Sequence, residues 1–311
     1  MFEVTLPITG DTVNVLALVV LGVAAGLVAG FFGVGGGVLI VPLLHIVFGV
    51  DYNFAVGSSL AVIFGTSIAA TIRHHKLQQV DFRLGGLLVV SATVAAWLGT
   101  AVVEALKGLG TIDIGESRVL AVNFVLPLAY AVLLVLLGIL FLRESVQRKR
   151  QLRADPDAPF VAPLSATMRR ALGPPRIALP ASGIEQVSVW VLLLIGLASG
   201  FLAGLLGIGG GIVAVPAMIY LLGAPTAVAV GTSLFMIVFA SATGTVAHAV
   251  NGNCDVVLAA CLLVGSAAGA HGGATVTKRL RGVQIRYAFA YLAFAMCVLV
   301  LLKVALTIGL F

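Results

Sequence analysis

Two copies of one glycine-rich apolar segment constrain how this chain can fold. Residues 21–42 read LGVAAGLVAGFFGVGGGVLIVP and residues 195–216 read IGLASGFLAGLLGIGGGIVAVP, so 11 of 22 positions are identical at an offset of 174 residues. The same offset pairs AVGSSL at 55–60 with AVGTSL at 229–234, and His74 with His248. A register kept over this length indicates an internal duplication. We therefore expect two structural repeats with the same order of elements.

Each copy contains five apolar segments. In the first copy they are residues 13–32, 38–50, 55–72, 84–104 and 118–142, and in the second 187–206, 212–223, 229–249, 256–276 and 287–308. Charged residues make up only 10% of the chain, whereas soluble domains carry about 25%. Most segments approach the ~20 residues that cross a bilayer. The sequence therefore predicts an all-α polytopic membrane protein and argues against a nucleic-acid partner.

The positive charges predict opposite orientations for the two copies. The loop after the third segment is basic in copy one, with Arg73, Lys76 and Arg83, whereas its counterpart at 248–255 has no Lys or Arg. One loop later the bias reverses, because 104–118 is acid-rich and 277–286 is strongly basic. Cytoplasmic loops collect positive charge. We therefore expect two inverted-topology repeats, at 1–142 and 187–311, joined by a cytoplasmic linker at 143–186. Both termini would then lie outside an inner (plasma) membrane, in the periplasm.

The clusters GVGGG and GIGGG predict a break in a membrane helix. Glycine in a helix interior costs roughly 1 kcal/mol relative to alanine, and unwound backbone in a bilayer must be buried in protein or line a wet cavity. The free N–H groups of the half-helix that follows favour an anion. The second segment of each copy is too short to cross comfortably, which indicates a half-helix at the midplane or a re-entrant piece. Whether it spans or re-enters stays open.

Close helix packing is the alternative role for glycines in this region. It needs small residues spaced by three or four positions, and it is favoured for the glycines upstream of the clusters. These are Gly22, Gly26, Gly30, Gly196, Gly200 and Gly204.

The duplicated GxGGGxxxVP motif, followed in each copy by a GSS or GTS segment, resembles the TauE/SafE sulfite exporter family, also called the TSUP family. The resemblance covers nearly the whole chain apart from 143–186. It implies a permease for small sulfur-containing or organic anions, such as sulfite, sulfonates, sulfoacetate or thiosulfate, that works by secondary transport without ATP hydrolysis. The substrate-lining positions that it implies are Gly33, Gly35, Gly36, Gly37, Ser58, Ser59, Gly207, Gly209, Gly210, Gly211, Thr232 and Ser233.

Other polar residues have two interpretations each. The hydroxyl pairs at 58–59 and 232–233 begin the third segments, where they fit both a helix N-cap and donors to an anion. Because they fall at segment ends and in loops, four ionisable residues are expected to be solvated interfacial groups, with proton coupling as the alternative. These are His74, His248, Asp81 and Asp255. His271 lies inside an apolar segment, which makes it a functional hypothesis by default, although a bond to a backbone carbonyl is the favoured explanation.

The expected mechanism is alternating access around a midplane cavity with a proton as the coupling ion, and a passive anion channel is the alternative. There is no nucleophile elbow, HExxH motif or pair of carboxylates in an apolar segment, so we expect no enzyme, catalytic residue, metal or cofactor. Cys254, Cys261 and Cys297 lack the CxxC spacing of a zinc site. The expected partners are a small organic or inorganic sulfur oxyanion and the lipid bilayer. The direction of transport and the oligomeric state stay open, with a homodimer as one option.

Overall fold

In a computed structural model, the described residues form two sets of five helices. The structure describes residues 3–8, 10, 12–32, 34–114, 117–154, 173–277 and 282–308. In the first repeat the helices are α1 (Val15–Phe32), α2 (Gly37–Val47), α3 (Tyr52–Lys76), α4 (Phe82–Gly108) and α5 (Ala121–Ala154). In the second they are α6 (Val189–Leu206), α7 (Gly211–Ala217), α8 (Thr226–Val250), α9 (Val256–Thr277) and α10 (Gly282–Thr307).

Eight of the described helices are long and apolar enough to cross a membrane, and α2 and α7 are not among them. Helix α2 has 11 residues and is about 16 Å long, roughly half of a ~30 Å hydrocarbon core. Helix α7 has seven residues and continues into a π-helical turn, Met218–Leu222. The prediction of an all-α polytopic membrane protein is confirmed. The second segment of each copy forms a short helix.

Three small hairpins, which the sequence analysis did not predict, accompany the helices. Strand β1 (Glu3–Thr5) pairs with β2 (Thr12–Asn14) before α1, and β5 (Arg176–Leu179) pairs with β6 (Ile184–Ser188) before α6. Strands β3 (Thr111–Ile114) and β4 (Ser117–Leu120) connect α4 to α5. Each strand has only three to five residues, at or below the short end of the roughly 4–8 residues over which alternation identifies a strand.

The first helix of each repeat packs along the fourth helix of the other repeat. A side chain added at Gly26 of α1 would overlap the Ser266 carbonyl of α9, and one added at Gly200 of α6 would overlap the Ala92 carbonyl of α4. Each of the six upstream glycines approaches backbone atoms of a neighbouring helix in this way. The prediction that these glycines serve close helix packing is therefore confirmed.

The equivalent helices α3 and α8 lie side by side and antiparallel. Gly57, near the start of α3, lies against His248, near the end of α8. Gly231, near the start of α8, lies against His74, near the end of α3. Helices α5 and α10 are also equivalent, and they too are antiparallel, because Phe141 contacts Phe289 and Ala131 contacts Cys297.

These contacts place the connecting segments on two opposite faces. The linker face consists of residues 77–81 and the β5–β6 hairpin, which meet through a bond from Ser182 to Asp81. The terminal face consists of the β1–β2 and β3–β4 hairpins and residues 251–255. In this face the β1–β2 hairpin is joined to residues 251–255 by a bond from the Ile8 N–H to Asp255 Oδ2, 3.2 Å.

The segment expected to be a linker, 143–186, is partly regular structure. Helix α5 continues to Ala154, and the β5–β6 hairpin begins at Arg176. The charged stretch RESVQRKRQLR extends the helix because Glu, Gln, Lys and Arg are good helix formers. Charge in this sequence therefore marks the end of the membrane segment but not the end of the helix.

Apolar side chains form two buried clusters. One cluster joins α1, α2, α3, α5, α9 and α10, and the other joins α4, α6, α7, α8 and the β5–β6 hairpin. The hairpins are anchored by equivalent residues, since Val13 and Val187 are both buried. Large side chains such as Trp97 are instead half exposed on the outer surface, as expected where lipid replaces water.

Candidate functional site

The helix breaks expected from the glycine clusters are present in both repeats. Gly36 and Gly210 precede α2 and α7 with φ of 79° and 78°. Gly35 and Gly209 have φ of 94° and 77°. A residue with a Cβ rarely adopts this left-handed conformation, so the glycines are needed for the change of direction. Gly33 lies outside the described residues.

The two breaks touch each other. A Cβ built on Gly37, the first residue of α2, would overlap the Gly207 carbonyl oxygen of the second break and come within 2.8 Å of the Ile208 Cα. Residues 34–42 and 206–212 are buried. The glycines that the sequence places 174 residues apart therefore form one continuous buried region.

Two equivalent isoleucines cover this region. Ile63 and Ile237 lie near the middle of α3 and α8, and both are fully buried. A Cβ on Gly209 would lie 2.9 Å from Ile63 Cγ2 and 3.4 Å from Ile237 Cγ2, and one on Gly35 would lie 3.1 Å from Ile63 Cγ2. The glycine backbone is thus enclosed by apolar side chains in this conformation.

The beginnings of α2 and α7 bring to the region N–H groups that have no partner within their own helix. The N–H groups of Gly36, Gly37 and Val38 have no acceptor within their helix, and the first internal bond runs from Leu39 N to Gly36 O, 3.1 Å. Residues 210–212 are arranged in the same way. Helix N-termini carry partial positive charge. N–H groups of this kind, at a helix N-terminus, are the chemistry that suits an anion.

The N-cap interpretation of the hydroxyl pairs is wrong. Helix α3 begins at Tyr52 and α8 at Thr226, so the pairs at 58–59 and 232–233 lie in the second turn. Asp51 and Pro225 occupy the N-cap positions of these helices. The apolar run therefore starts later than the helix does.

Only one of the four hydroxyls reaches a glycine break. Ser59 Oγ donates to the Gly207 carbonyl at 2.7 Å, whereas Ser233 Oγ donates to Val230 O of its own helix at 2.8 Å. The other two hydroxyls accept backbone N–H groups from loops of the other repeat. Ser58 Oγ accepts from Asp255 and Thr232 Oγ1 accepts from Asp81, each at 3.0 Å. Three of the four hydroxyls therefore serve contacts away from the breaks.

The expectation of solvated interfacial groups is wrong for three of the four ionisable residues. Asp81, Asp255 and His248 are 3%, 0% and 0% exposed, because the hairpins bond to the two aspartates and helices α3 and α6 lie against the histidine. His74 is partly buried, with Nδ1 2.8 Å from Gln79 Oε1. His271 is exposed on α9 and lies outside this buried set.

His248 contacts the helix that leads into the second break. Its Nε2 lies 2.9 Å from the Gly204 carbonyl, which can only accept, so Nε2 carries the hydrogen. Among the described residues its Nδ1 has no partner although it is buried. Of the residues considered for proton coupling, it is the one placed beside a glycine motif.

Two polar features were missed by sequence reasoning. Thr71 and Thr245 are equivalent, and the hydroxyl of each is buried without a partner among the described residues. Their shared offset of 174 could have singled them out. The second feature surrounds Asn253, which accepts from Asn53 and donates to Glu104. No sequence signal connects these three positions.

Cys254 gives a direct test of how closely the terminal face is packed. It lies between α8 and α9, and burial, together with the neighbouring Asp255 carboxylate, raises the pKa of its thiol. Because the thiolate is the nucleophile, we expect a water-soluble maleimide to label it at least roughly tenfold more slowly in native than in unfolded protein. Cys261→Ser and Cys297→Ser remove the other thiols, and labelling is followed by mass spectrometry. Equal rates in the two states would show an open loop.

An eight-span bundle in which broken helices of two repeats meet has the architecture of a membrane transporter. The Sulfite exporter TauE/SafE family model matches residues 18–300, and the chain belongs to this family. The resemblance that the glycine motifs indicated is thereby confirmed.

Individual relatives carry transporter names as well. The chain is 30% identical over 271 residues to probable membrane transporter protein YunE of Bacillus subtilis, covering 85% of the chain and 89% of that protein. It is 28% identical over 280 residues to YjnA of the same organism, covering 88% and 95%. For MJ0441 of Methanocaldococcus jannaschii the values are 27% over 206 residues, 64% and 59%. No solved structure matches the chain.

Proposed function

We propose that this membrane protein is a secondary transporter of small sulfur-containing or organic anions, such as sulfite, sulfonates, sulfoacetate or thiosulfate. The contact between Gly37 and the Gly207 carbonyl carries the proposal, because it brings the N-terminal ends of α2 and α7 to one place. Helix N-termini bind anions through N–H groups and the helix dipole. A site without Lys or Arg holds its anion weakly enough to release it on the other side.

Alternating access between two inverted repeats is the proposed mechanism. The antiparallel packing of α3 against α8, and of α5 against α10, supports the inverted relation. Burial of the glycine backbone under Ile63 and Ile237 supports a gated site over an open channel. His248 is the proposed site of proton coupling, since its buried Nδ1 is available beside the second glycine motif.

The linker face is the proposed cytoplasmic face. It carries Arg73, Lys76 and Arg83, and the charged end of α5 at 143–154. The terminal face carries fewer cations, and two of them are paired: Lys107 with Glu104, and Arg118 with Asp113. Positive charge is retained on the cytoplasmic side of bacterial membranes, which supports both termini being periplasmic.

Ligand-dependent melting of the purified protein tests the anion site. We expect at least one of sulfite, thiosulfate, a sulfonate, sulfoacetate or a carboxylate to raise the melting temperature by several degrees. A ligand at 100 times its Kd adds about 2.7 kcal/mol of apparent stability. Differential scanning fluorimetry in detergent, with sodium chloride at matched ionic strength as the control, gives the measurement. A shift by a cation or a neutral solute, and by no oxyanion, would refute the anion site.

A further inference from the structure

On the linker face, Asp81 joins three segments. Its Oδ1 accepts the N–H groups of Arg83 and Leu84 at 3.0 and 3.1 Å and so caps α4. Its Oδ2 accepts the Ser182 hydroxyl of the β5–β6 hairpin at 2.6 Å. Its backbone N–H donates to Thr232 Oγ1 of α8 at 3.0 Å. We call Asp81, Ser182 and Thr232 the linker-face latch.

On the terminal face, Asp255 makes the corresponding set of bonds. Its Oδ1 accepts the N–H groups at 257 and 258, both at 3.0 Å, and caps α9. Its Oδ2 accepts the backbone N–H of Ile8, beside the β1–β2 hairpin, at 3.2 Å. Its own N–H donates to Ser58 Oγ of α3 at 3.0 Å. We call Asp255, Ile8 and Ser58 the terminal-face latch.

The two latches correspond residue by residue at the offset of 174. Asp81 corresponds to Asp255, Ser58 to Thr232, and Ile8 to Ser182. In both, the carboxylate belongs to one repeat, the hydroxyl belongs to the other, and the hairpin leads into the first helix of that other repeat. Neither aspartate belongs to a salt bridge among the described residues. Each latch is therefore held by hydrogen bonds between the repeats.

We propose that the two latches are the gates of the transporter, and that Asp81, Ser182 and Asp255 position the repeats for opening on one face at a time. The proposal rests on the alternating-access function proposed above. Movement of one repeat against the other must break the bonds of one latch, because each latch crosses the boundary between repeats. With both latches closed, the glycine breaks are buried, as the structure shows.

The latches differ in one respect that allows them to be opened separately. The hairpin bond uses a side-chain hydroxyl, Ser182 Oγ, on the linker face and a backbone N–H, that of Ile8, on the terminal face. Ser182→Ala therefore removes one bond of the linker-face latch alone. Asp255→Asn places an amide donor opposite the Ile8 N–H and so opens the terminal-face latch. Asp81→Asn is milder, because the Ser182 hydroxyl can accept from the new amide.

The test measures access to the break from each face. In a protein lacking native cysteines, Val34→Cys supplies a buried thiol next to the glycine break. A membrane-impermeant maleimide is applied to vesicles that hold the protein in either orientation. Labelling of Gln151→Cys, at an exposed position near the end of α5, shows in which vesicles the linker face is outside. Ser182→Ala should raise labelling from the linker face and lower it from the terminal face, and Asp255→Asn should do the reverse. The expected change is about threefold to tenfold, the effect of losing one net hydrogen bond.

Ser188→Ala is the matched control. It lies in the same hairpin, and its buried hydroxyl has no partner among the described residues, so labelling should stay as in the parent. The gate assignment is overturned if Ser182→Ala and Asp255→Asn change labelling equally from both faces, or if they lower only the melting temperature. Labelling needs no substrate, so failure of the gate proposal can be distinguished from failure of the anion site. If only the anion site is wrong, no anion raises the melting temperature, but the two variants still change labelling from one face each.

Discussion

Gly36→Ala and Gly210→Ala should each abolish anion transport, whereas Gly49→Ala should preserve it. All three glycines have φ between 70° and 79°, where a side chain costs roughly 1–2 kcal/mol. The Cβ at Gly36 would also lie 3.0 Å from the Ala25 carbonyl oxygen, and that at Gly210 2.5 Å from the Ser199 carbonyl oxygen. We expect relief of these contacts to turn the N–H groups at the start of α2 or α7 away from the shared region.

Gly49→Ala separates backbone strain from loss of the site. Gly49 follows α2 and has no atom within 4 Å of an added Cβ, so alanine there introduces the left-handed strain without a collision. Transport is measured as flux into proteoliposomes of the anion that raises the melting temperature, and stability is measured by thermal melting. Gly210→Ala should lower stability more than Gly36→Ala, because its contact is closer. Wild-type flux in both variants would assign these glycines to packing alone.

Gly26→Val and Gly200→Val should prevent the protein from folding. The two positions are equivalent, and an added Cβ would overlap the carbonyl of Ser266 or of Ala92. Overpacking a core costs about 1–3 kcal/mol even where side chains can move, and here the obstacle is the backbone of a neighbouring helix. We expect a destabilisation at or above the upper end of that range, seen as loss of the monodisperse peak in fluorescence-detected size-exclusion chromatography.

Gly86→Val provides the control for the packing prediction. Gly86 is in α4, as Ala92 is, but no atom lies within 4 Å of an added Cβ. Valine there should leave the yield of monodisperse protein unchanged. If Gly86→Val were as harmful as Gly200→Val, the defect would come from valine in the helix and not from the contact between α4 and α6.

The two kinds of glycine therefore have separate consequences. Substitution at the upstream glycines affects whether helices of the two repeats pack together. Substitution at Gly36 or Gly210 is expected to change the direction of N–H groups in a protein that still folds. Both kinds lie within one 22-residue motif, and the conformation of the backbone distinguishes them.

Much of the fold could be predicted because it depends on local preferences. Apolar length predicts the membrane helices, and the glycine clusters predict the breaks, since both follow from the backbone of a single segment. The packing role of Gly26 and Gly200 was also accessible, because spacing of small residues is a property of one helix. The start of α3 at Tyr52 was not, because its first turn is less apolar than the segment that follows.

The amino-acid sequence by itself determined the duplication, the spanning segments, the helix breaks and the family. The tertiary structure alone decided which residues meet: Gly37 with Gly207, Asp81 with Ser182, and Asp255 with Ser58. In the last two of these pairs, the partners are 101 and 197 residues apart in the sequence. Contacts at such separations depend on how whole helices are placed against each other, which no local pattern encodes. Burial of Asp81 and Asp255 follows from that placement, and it makes two loop residues candidates for gates.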